Sequence, residues 1–281
     1  MRWIFRSGGG GLGAAGLMLV ALSARFATAA NLPVGSLGVT LAAEGEYGTI
    51  KGRLVWGGRD VPSARALIEK GRAQRDPEIC AREAAIPNRE LVVDLKTKGV
   101  VYGFAYLVKP KGSNPGAVKE LLARSPKAEL DQKNCEFLPY VLAIHQDQTL
   151  VIKSSDPVNH NVRYAAFANS PFNQIMAPKG EIEVKLVAER RPIVVACDIH
   201  SWMKAYVMVF DHPFFTVTGA DGAFEIKGVP AGEQNLVLWQ ERVGYVGFTD
   251  PAKKAQGMAV TIRAGEVTDL GSVAIDPSQV K

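Results

Sequence analysis

Short apolar runs, each stopped by a turn, dominate this chain from residue 128 to residue 210 and most constrain its fold. Strands are expected at 137–145, 149–154, 161–167, 181–187, 192–197 and 204–210. Gln146-Asp147, Pro178-Lys179-Gly180 and Glu189-Arg190-Arg191-Pro192 lie between them as turns. Runs of this length leave no room for long helices, and their even spacing predicts an all-β sandwich or barrel. The pattern extends outside this stretch. Gly48 to Trp56 alternates and stops at Gly57-Gly58, and 91–95 and 100–108 are strand-like. After residue 216, strands are expected at Ala223–Ile226, Gln234–Trp239, Met258–Arg263 and Val267–Ile275. Two short helices are expected to interrupt the strands. Asp76-Pro77-Glu78 offers a cap, a proline and a first-turn acid, and Asn114-Pro115 opens a second helix that Ser125-Pro126 closes.

The N-terminus is a targeting segment. Arg2 and Arg6 precede an apolar run from about Gly11 to Ser23, and Ala27-Thr28-Ala29 is a small-residue cleavage pattern. The run is short for a membrane span, and no later stretch is long enough to cross a bilayer. An uncleaved anchor is the other reading of this run. Cleavage predicts an exported chain, periplasmic or extracellular, with no membrane span. Three of the charges behind the net +5 are Arg2, Arg6 and Arg25, so the mature chain carries only +2. The basic residues are interspersed with acids, which argues against a nucleic-acid partner. There is no paired-carboxylate motif, catalytic triad or phosphate loop, so the chain is not expected to be an enzyme. Export makes cysteine pairing the rule, yet the chain has three cysteines, Cys80, Cys135 and Cys197, and one must do something else.

Cys197-Asp198-Ile199-His200-Ser201-Trp202-Met203 sets a thiol, an imidazole and a thioether three residues apart, and His160-Asn161-Val162 lies upstream. A soft thiolate, borderline imidazoles and a weak thioether together select copper over calcium or magnesium, and a single thioether suits zinc poorly. Cys197 as a small buried hydrophobe and Met203 as core filling is the structural alternative. His145 reads as a surface residue at a strand end, and His212 as a turn residue in Asp211-His212-Pro213.

The Cys197-x-x-His200-x-x-Met203 loop resembles the copper loop of the cupredoxins, with the spacing found in amicyanin. His160-Asn161-Val162 resembles the histidine strand of plastocyanin and amicyanin, and Ser154-Ser155-Asp156-Pro157 resembles the segment before it. Ala205 to Phe210 fills the place of the last cupredoxin strand. The resemblance implies equatorial ligands His160, Cys197 and His200, an axial Met203, and Asn161 steadying the loop by hydrogen bonds. It implies a type 1 copper protein that carries single electrons to a redox partner protein. The exposed edge of His200 would be the outlet, and Trp202 part of a docking patch. With Cys197 reserved for copper, Cys80 and Cys135 are expected to pair. Lys204-Ala205 depart from the small, Gly-containing step common at that point.

Residues 216–239 resemble a carboxypeptidase regulatory-like domain, a small transthyretin-like β-sandwich. Its expected first strands stand far upstream, at Gly48–Trp56 and near Phe104–Val108. This organisation follows: 1–29 signal peptide; 46–110 the N-terminal part of a β-sandwich with a short helix; 111–212 a cupredoxin-like domain, inserted; 213–281 the regulatory-like β-sandwich. Three domains in series is the other arrangement. The whole order also resembles exported bacterial proteins of the methylamine-utilization-like kind, a label that fixes no substrate. A metal-free extracytoplasmic module binding carbohydrate or a surface protein is the alternative function, and copper storage or delivery a third.

Overall fold

The computed structural model describes residues 46–63, 65–247 and 256–280; the expected signal peptide lies outside them. In chain order the strands are β1 (Tyr47–Trp56), β2 (Ala66–Ile68), β3 (Ile86–Pro87) and β4 (Phe104–Leu107), followed by helix α1 (Pro115–Arg124). Then come β5 (Lys127–Lys133), β6 (Glu136–Leu138), β7 (Val141–His145), β8 (Thr149–Ser154), β9 (His160–Tyr164), β10 (Phe172–Met176), β11 (Glu181–Val184), β12 (Ile193–Ala196) and β13 (Lys204–Phe210). The last are β14 (Phe215–Val217), β15 (Ala223–Pro230), β16 (Gly232–Gln240), β17 (Gly244–Tyr245), β18 (Met258–Ile262) and β19 (Val267–Ile275). The fold is of the all-β sandwich class.

Strands from residues 127–210 make two sheets, ordered β10-β9-β12-β13-β7 and β11-β8-β5-β6. Between them lies a core of Leu130, Phe137, Ile144, Leu150, Ile152, Val162, Val195, Val207 and Val209. β1, β4 and the strands of residues 215–275 make two more, β15-β1-β19 and β14-β4-β16-β17, with β18 on β16, and β2 pairs with β3 alone. β1 shows why. Gly48, Ile50, Gly52, Leu54 and Trp56 are buried and alternate with more exposed positions, the period of a half-buried strand. Ile50, Leu54 and Trp56 share their core with Phe224, Leu236 and Leu238. A Cβ at Gly52 would stand 2.8 Å from the Phe224 ring, so a side chain there would force that ring to shift.

Two strands are buried on both faces and join the sandwiches. In β13, Ala205, Val207 and Val209 face the first core, while Met208 and Phe210 face the other way. In β4, Ala105 and Leu107 enter the second core, while Phe104 and Tyr106 turn outward to meet Tyr140, Val141, Met208 and Phe210 in a third cluster. Burying each such aromatic stabilises the junction by about 1.5–3 kcal/mol.

Local chemistry accounts for the helix and for several differences from expectation. Asn114 caps α1 by accepting the Ala117 amide at 2.9 Å, with proline at the first position. The expected 137–145 strand is two strands, divided at Pro139, which has no amide to donate. Residues 91–95 hold only a bridge, Val93 to Val100, because Asp94 folds into a turn by accepting the Thr97 amide at 2.7 Å. Asp76-Pro77-Glu78 starts no helix. Asp76 has φ +48°, and residues 77–81 form turns in which the Ile79 and Cys80 amides donate to its carbonyl. Among the described residues, no helix is long and apolar enough to cross a membrane.

Candidate metal centre

The hairpin between β12 and β13 carries three of the expected ligands. Ala196 pairs with Lys204 at its base. The Cys197 amide donates to Met203 O at 3.2 Å, and the Met203 amide to His200 O at 2.9 Å. These bonds wind the seven-residue loop tightly enough to bury Cys197, His200 and Met203 together. His160 opens β9, which pairs with β12 through Val195–Tyr164 and Ala196–Arg163, so the sheet brings the fourth residue alongside. His160 Nδ1 lies 3.0 Å from His200 Nδ1, and Cys197 Sγ lies 3.9 Å from His200 Nδ1. The Asn161 and His200 amides each donate to Cys197 Sγ at 3.4 Å.

Each imidazole is held from behind by a carboxylate. His160 Nε2 donates to Asp156 Oδ2 at 2.9 Å, and His200 Nε2 donates to Asp76 Oδ2 at 2.8 Å. A metal-binding histidine needs such an acceptor on its far nitrogen, because the bond fixes tautomer and ring orientation. Asp156 also accepts the Asn134 and Cys135 amides at 2.7 and 2.8 Å. Those two residues turn the β5–β6 hairpin with φ of +56° and +57°, the left-handed values that a two-residue turn of this kind requires.

The site's electrostatics follow from this. Burial pushes the Cys197 thiol up, but hydrogen bonds from the His160 imidazole and from the Asn161 and His200 amides outweigh it and bring the pKa down to about 6. Burial pulls His160 down, but its bonds to Asp156 and Cys197 carry it up to about 9. Burial raises the Asp156 carboxyl, and hydrogen bonds from His160 and the two turn amides outweigh it, leaving it below the usual carboxylate range. At neutral pH the metal-free centre is therefore a thiolate facing an imidazolium, and a cation that enters displaces a proton. Two imidazole nitrogens and a thiolate converging in a buried space fit a soft or borderline metal ion.

Asn161 stitches the loop to β9. Its Oδ1 accepts the Asp198 amide, and its Nδ2 donates to Asn173 Oδ1 at 2.9 Å and Asp198 Oδ2 at 3.1 Å. Cys80 and Cys135 are joined in a disulfide, and Cys197 is free. Both disulfide sulfurs lie within 4.8 Å of a His200 nitrogen, so the bond forms a wall of the centre. Trp202 is half-buried, packs edge-on against His200 at 5.2 Å between centroids, and donates from Nε1 to Cys135 O at 3.1 Å.

Two expectations need correction. His200 presents no exposed edge: it is 0% exposed, covered by the segment that carries Asp76 and Cys80. His145 is no surface residue. It is 3% exposed at the end of β7, where its Nδ1 accepts the Asp147 amide at 3.2 Å. His212 takes part in a turn, with Nδ1 accepting the Phe214 amide at 3.2 Å. Sequence reasoning gave no role at the centre to Asp76 or Asp156. Asp156 had a signal, its place four residues before His160. Asp76 had none, since 124 residues separate it from His200.

No family model matches the chain, and no curated protein matches it. Among solved structures, it is similar to the copper-containing nitrite reductase of Thermus scotoductus SA-01, at 18% identity and TM-score 0.28, over 30% of this chain and 22% of that one. It thus spans about a fifth of the reductase. It is similar to a reduced amicyanin variant, at 16% identity and TM-score 0.27, over 30% of this chain and 83% of that one. A purple cupredoxin of Nitrosopumilus maritimus aligns at 19% identity and TM-score 0.26, over 30% of this chain and 99% of that one.

Proposed function

We propose that this chain is an exported carrier of single electrons, with one copper ion held by His160, Cys197 and His200 and weakly by Met203. One observation carries the reading: two buried imidazole Nδ1 atoms 3.0 Å apart, with a thiolate 3.9 Å from one of them, and a carboxylate behind each ring. Copper, when bound, supplies the one-electron couple. The chain's own residues supply the rest. The β12–β13 hairpin and β9 hold the donors in one geometry, which keeps reorganisation small. The amides of Asn161 and His200 donate to the Cys197 sulfur and stabilise its charge. The buried walls exclude water. Residues 111–212 act as an inserted cupredoxin-like unit, and the remaining sandwich as its scaffold.

The test is addition of Cu(II) to the purified full mature chain while its visible spectrum is recorded. An intense thiolate-to-metal band is expected, and Cys197→Ser should abolish it. A correctly folded chain that takes up no copper overturns the reading and leaves a metal-free binding module. Uptake without reversible oxidation and reduction points instead to storage or delivery.

A further inference from the structure

The segment 71–82 lies outside the ligand hairpin, yet it reaches the centre. It is closed on itself by the Gly71 amide donating to Ala81 O at 2.7 Å. Cys80 fastens it to the turn at Cys135, and Ala73, Cys80 and Ala81 are buried in the core of the first sandwich. At its tip Asp76 takes a left-handed backbone conformation and its carboxylate accepts His200 Nε2–H. Aspartate tolerates that region better than most residues, but a strained position persists only where its surroundings hold it.

We propose that Asp76 is a positioning residue of the metal centre, held over His200 by a disulfide-pinned cap. The inference rests on the metal reading of the site. Three observations carry it.

His160 Nδ1 and His200 Nδ1 face each other at 3.0 Å, so at least one of these nitrogens must be bare. Asp76 decides which nitrogen of His200 carries the proton, because a carboxylate 2.8 Å from Nε2 can only accept. His200 Nδ1 is thereby left as a lone pair aimed at Cys197 and His160. The second observation is exposure. His200 is fully buried, whereas the Asp76 side chain is 28% exposed, so the carboxylate that holds the ring stands at the surface of the protein. It opens into a surface depression lined by Arg75, Pro157, Val158, Asn159 and Ile199. The third is symmetry of roles. Asp156 does for His160 what Asp76 does for His200, but Asp156 is built into the sandwich, whereas Asp76 comes from a separate segment tethered by one covalent bond.

The experiment compares the full mature chain with Asp76→Gly and Asp76→Asn. Glycine accepts the left-handed backbone freely, and asparagine tolerates it, so both substitutions remove the charge without adding strain. Non-reducing peptide mapping verifies that the Cys80–Cys135 bond is intact in each. Cu(II) affinity is measured by competition with a chelator. Loss of a hydrogen-bonded partner of a metal-binding histidine costs about 10–100-fold in affinity, so Asp76→Gly should bind in that range more weakly. Asp76→Asn, whose amide oxygen still accepts, should recover part of the loss. Unchanged affinity in Asp76→Gly overturns the proposal.

A second arm uses the metal-free protein and long-range proton–nitrogen NMR of the His200 ring. The wild type should show Nε2–H, and Asp76→Gly a mixture of tautomers. A wild-type ring carrying its proton on Nδ1, or a tautomer unmoved by Asp76→Gly, refutes the positioning role. If the wild type takes up no copper, the metal reading fails by the first arm, while the tautomer still decides what Asp76 does.

Discussion

Removing the Cys80–Cys135 bond tests how firmly the cap belongs to the fold. The perturbation is the double variant Cys80→Ala/Cys135→Ala. The bond closes a loop with a sequence separation of 55 residues, and that loop includes β3, β4, α1 and β5. The entropy that such a cross-link removes from the unfolded chain corresponds to about 4 kcal/mol. Two local effects act with it. Both cysteines are fully buried, so alanine leaves a small void at each position. Position 135 has φ +57°, where alanine is no easier to hold than cysteine. A loss of about 3–5 kcal/mol is therefore expected, within the span found for native disulfides in small exported domains. The assay is urea unfolding followed by tryptophan fluorescence, with the slope of the transition compared between variant and wild type. An equal slope with a lowered midpoint means a true loss of stability. A loss below about 1 kcal/mol would refute the reasoning, because the segment would then be held by packing and by Asp76 alone, with the loop entropy irrelevant.

Three further outcomes are expected. Phe104→Ala should cost about 3–5 kcal/mol in urea unfolding, since the ring is fully buried between the sandwiches against Trp239. Glu189→Ala should cost about 2 kcal/mol and raise amide exchange at residues 168 and 169, because this buried carboxylate accepts from the Ala168 and Asn169 amides and from Asn169 Nδ2. Burial, opposed by Asp211 and a hydrogen bond to Leu107, holds the His212 imidazole below its ordinary pKa. The unfolded chain therefore binds that proton more readily. The stability at stake is intact above the ordinary histidine value and is lost as pH falls through the folded one. His212→Gln should flatten that part of a urea-midpoint profile taken between about pH 8 and about pH 5; an unchanged profile would exclude His212 as its source.

What could be read in the sequence divides along a physical line. The Cys197–Met203 loop was legible as a local feature, because residues three apart on one hairpin need no distant partner to come together. The alternation of β1 was legible because one face is buried and the other is not. β5 and β10 were not. β5 is Lys127–Lys133, with Leu130 fully buried but with Gln132 buried as well, its amide donating to Asn161 O at 3.0 Å. A buried glutamine reads as a solvent position until its partner is known. β10 is an edge strand with exposed residues at 173–175, Ile175 among them at 71% exposure, so no alternation marks it. Residues 91–95 failed in the opposite sense. Their apolar run looks like a strand, but Leu95 is 76% exposed and Asp94 bends the backbone away.

Asp76-Pro77-Glu78 shows the deeper limit. An aspartate before a proline carries the same local signature whether its carboxylate caps a helix or accepts from a distant histidine. A helix cap takes extended backbone and bonds an amide two or three residues on. At φ +48° the Asp76 side chain points away from its own turn and is free to meet His200. The disulfide and the buried Ala73 and Ala81 hold the segment against the first sandwich, where residues 77–81 run as turns. The two carboxylates thus arrive at the centre by different means. Asp156 comes through the β8–β9 connection, and Asp76 through a covalent tie to the turn whose amides Asp156 itself accepts. Cys135 links both: its amide donates to the carboxylate behind His160, and its sulfur anchors the cap that carries the one behind His200.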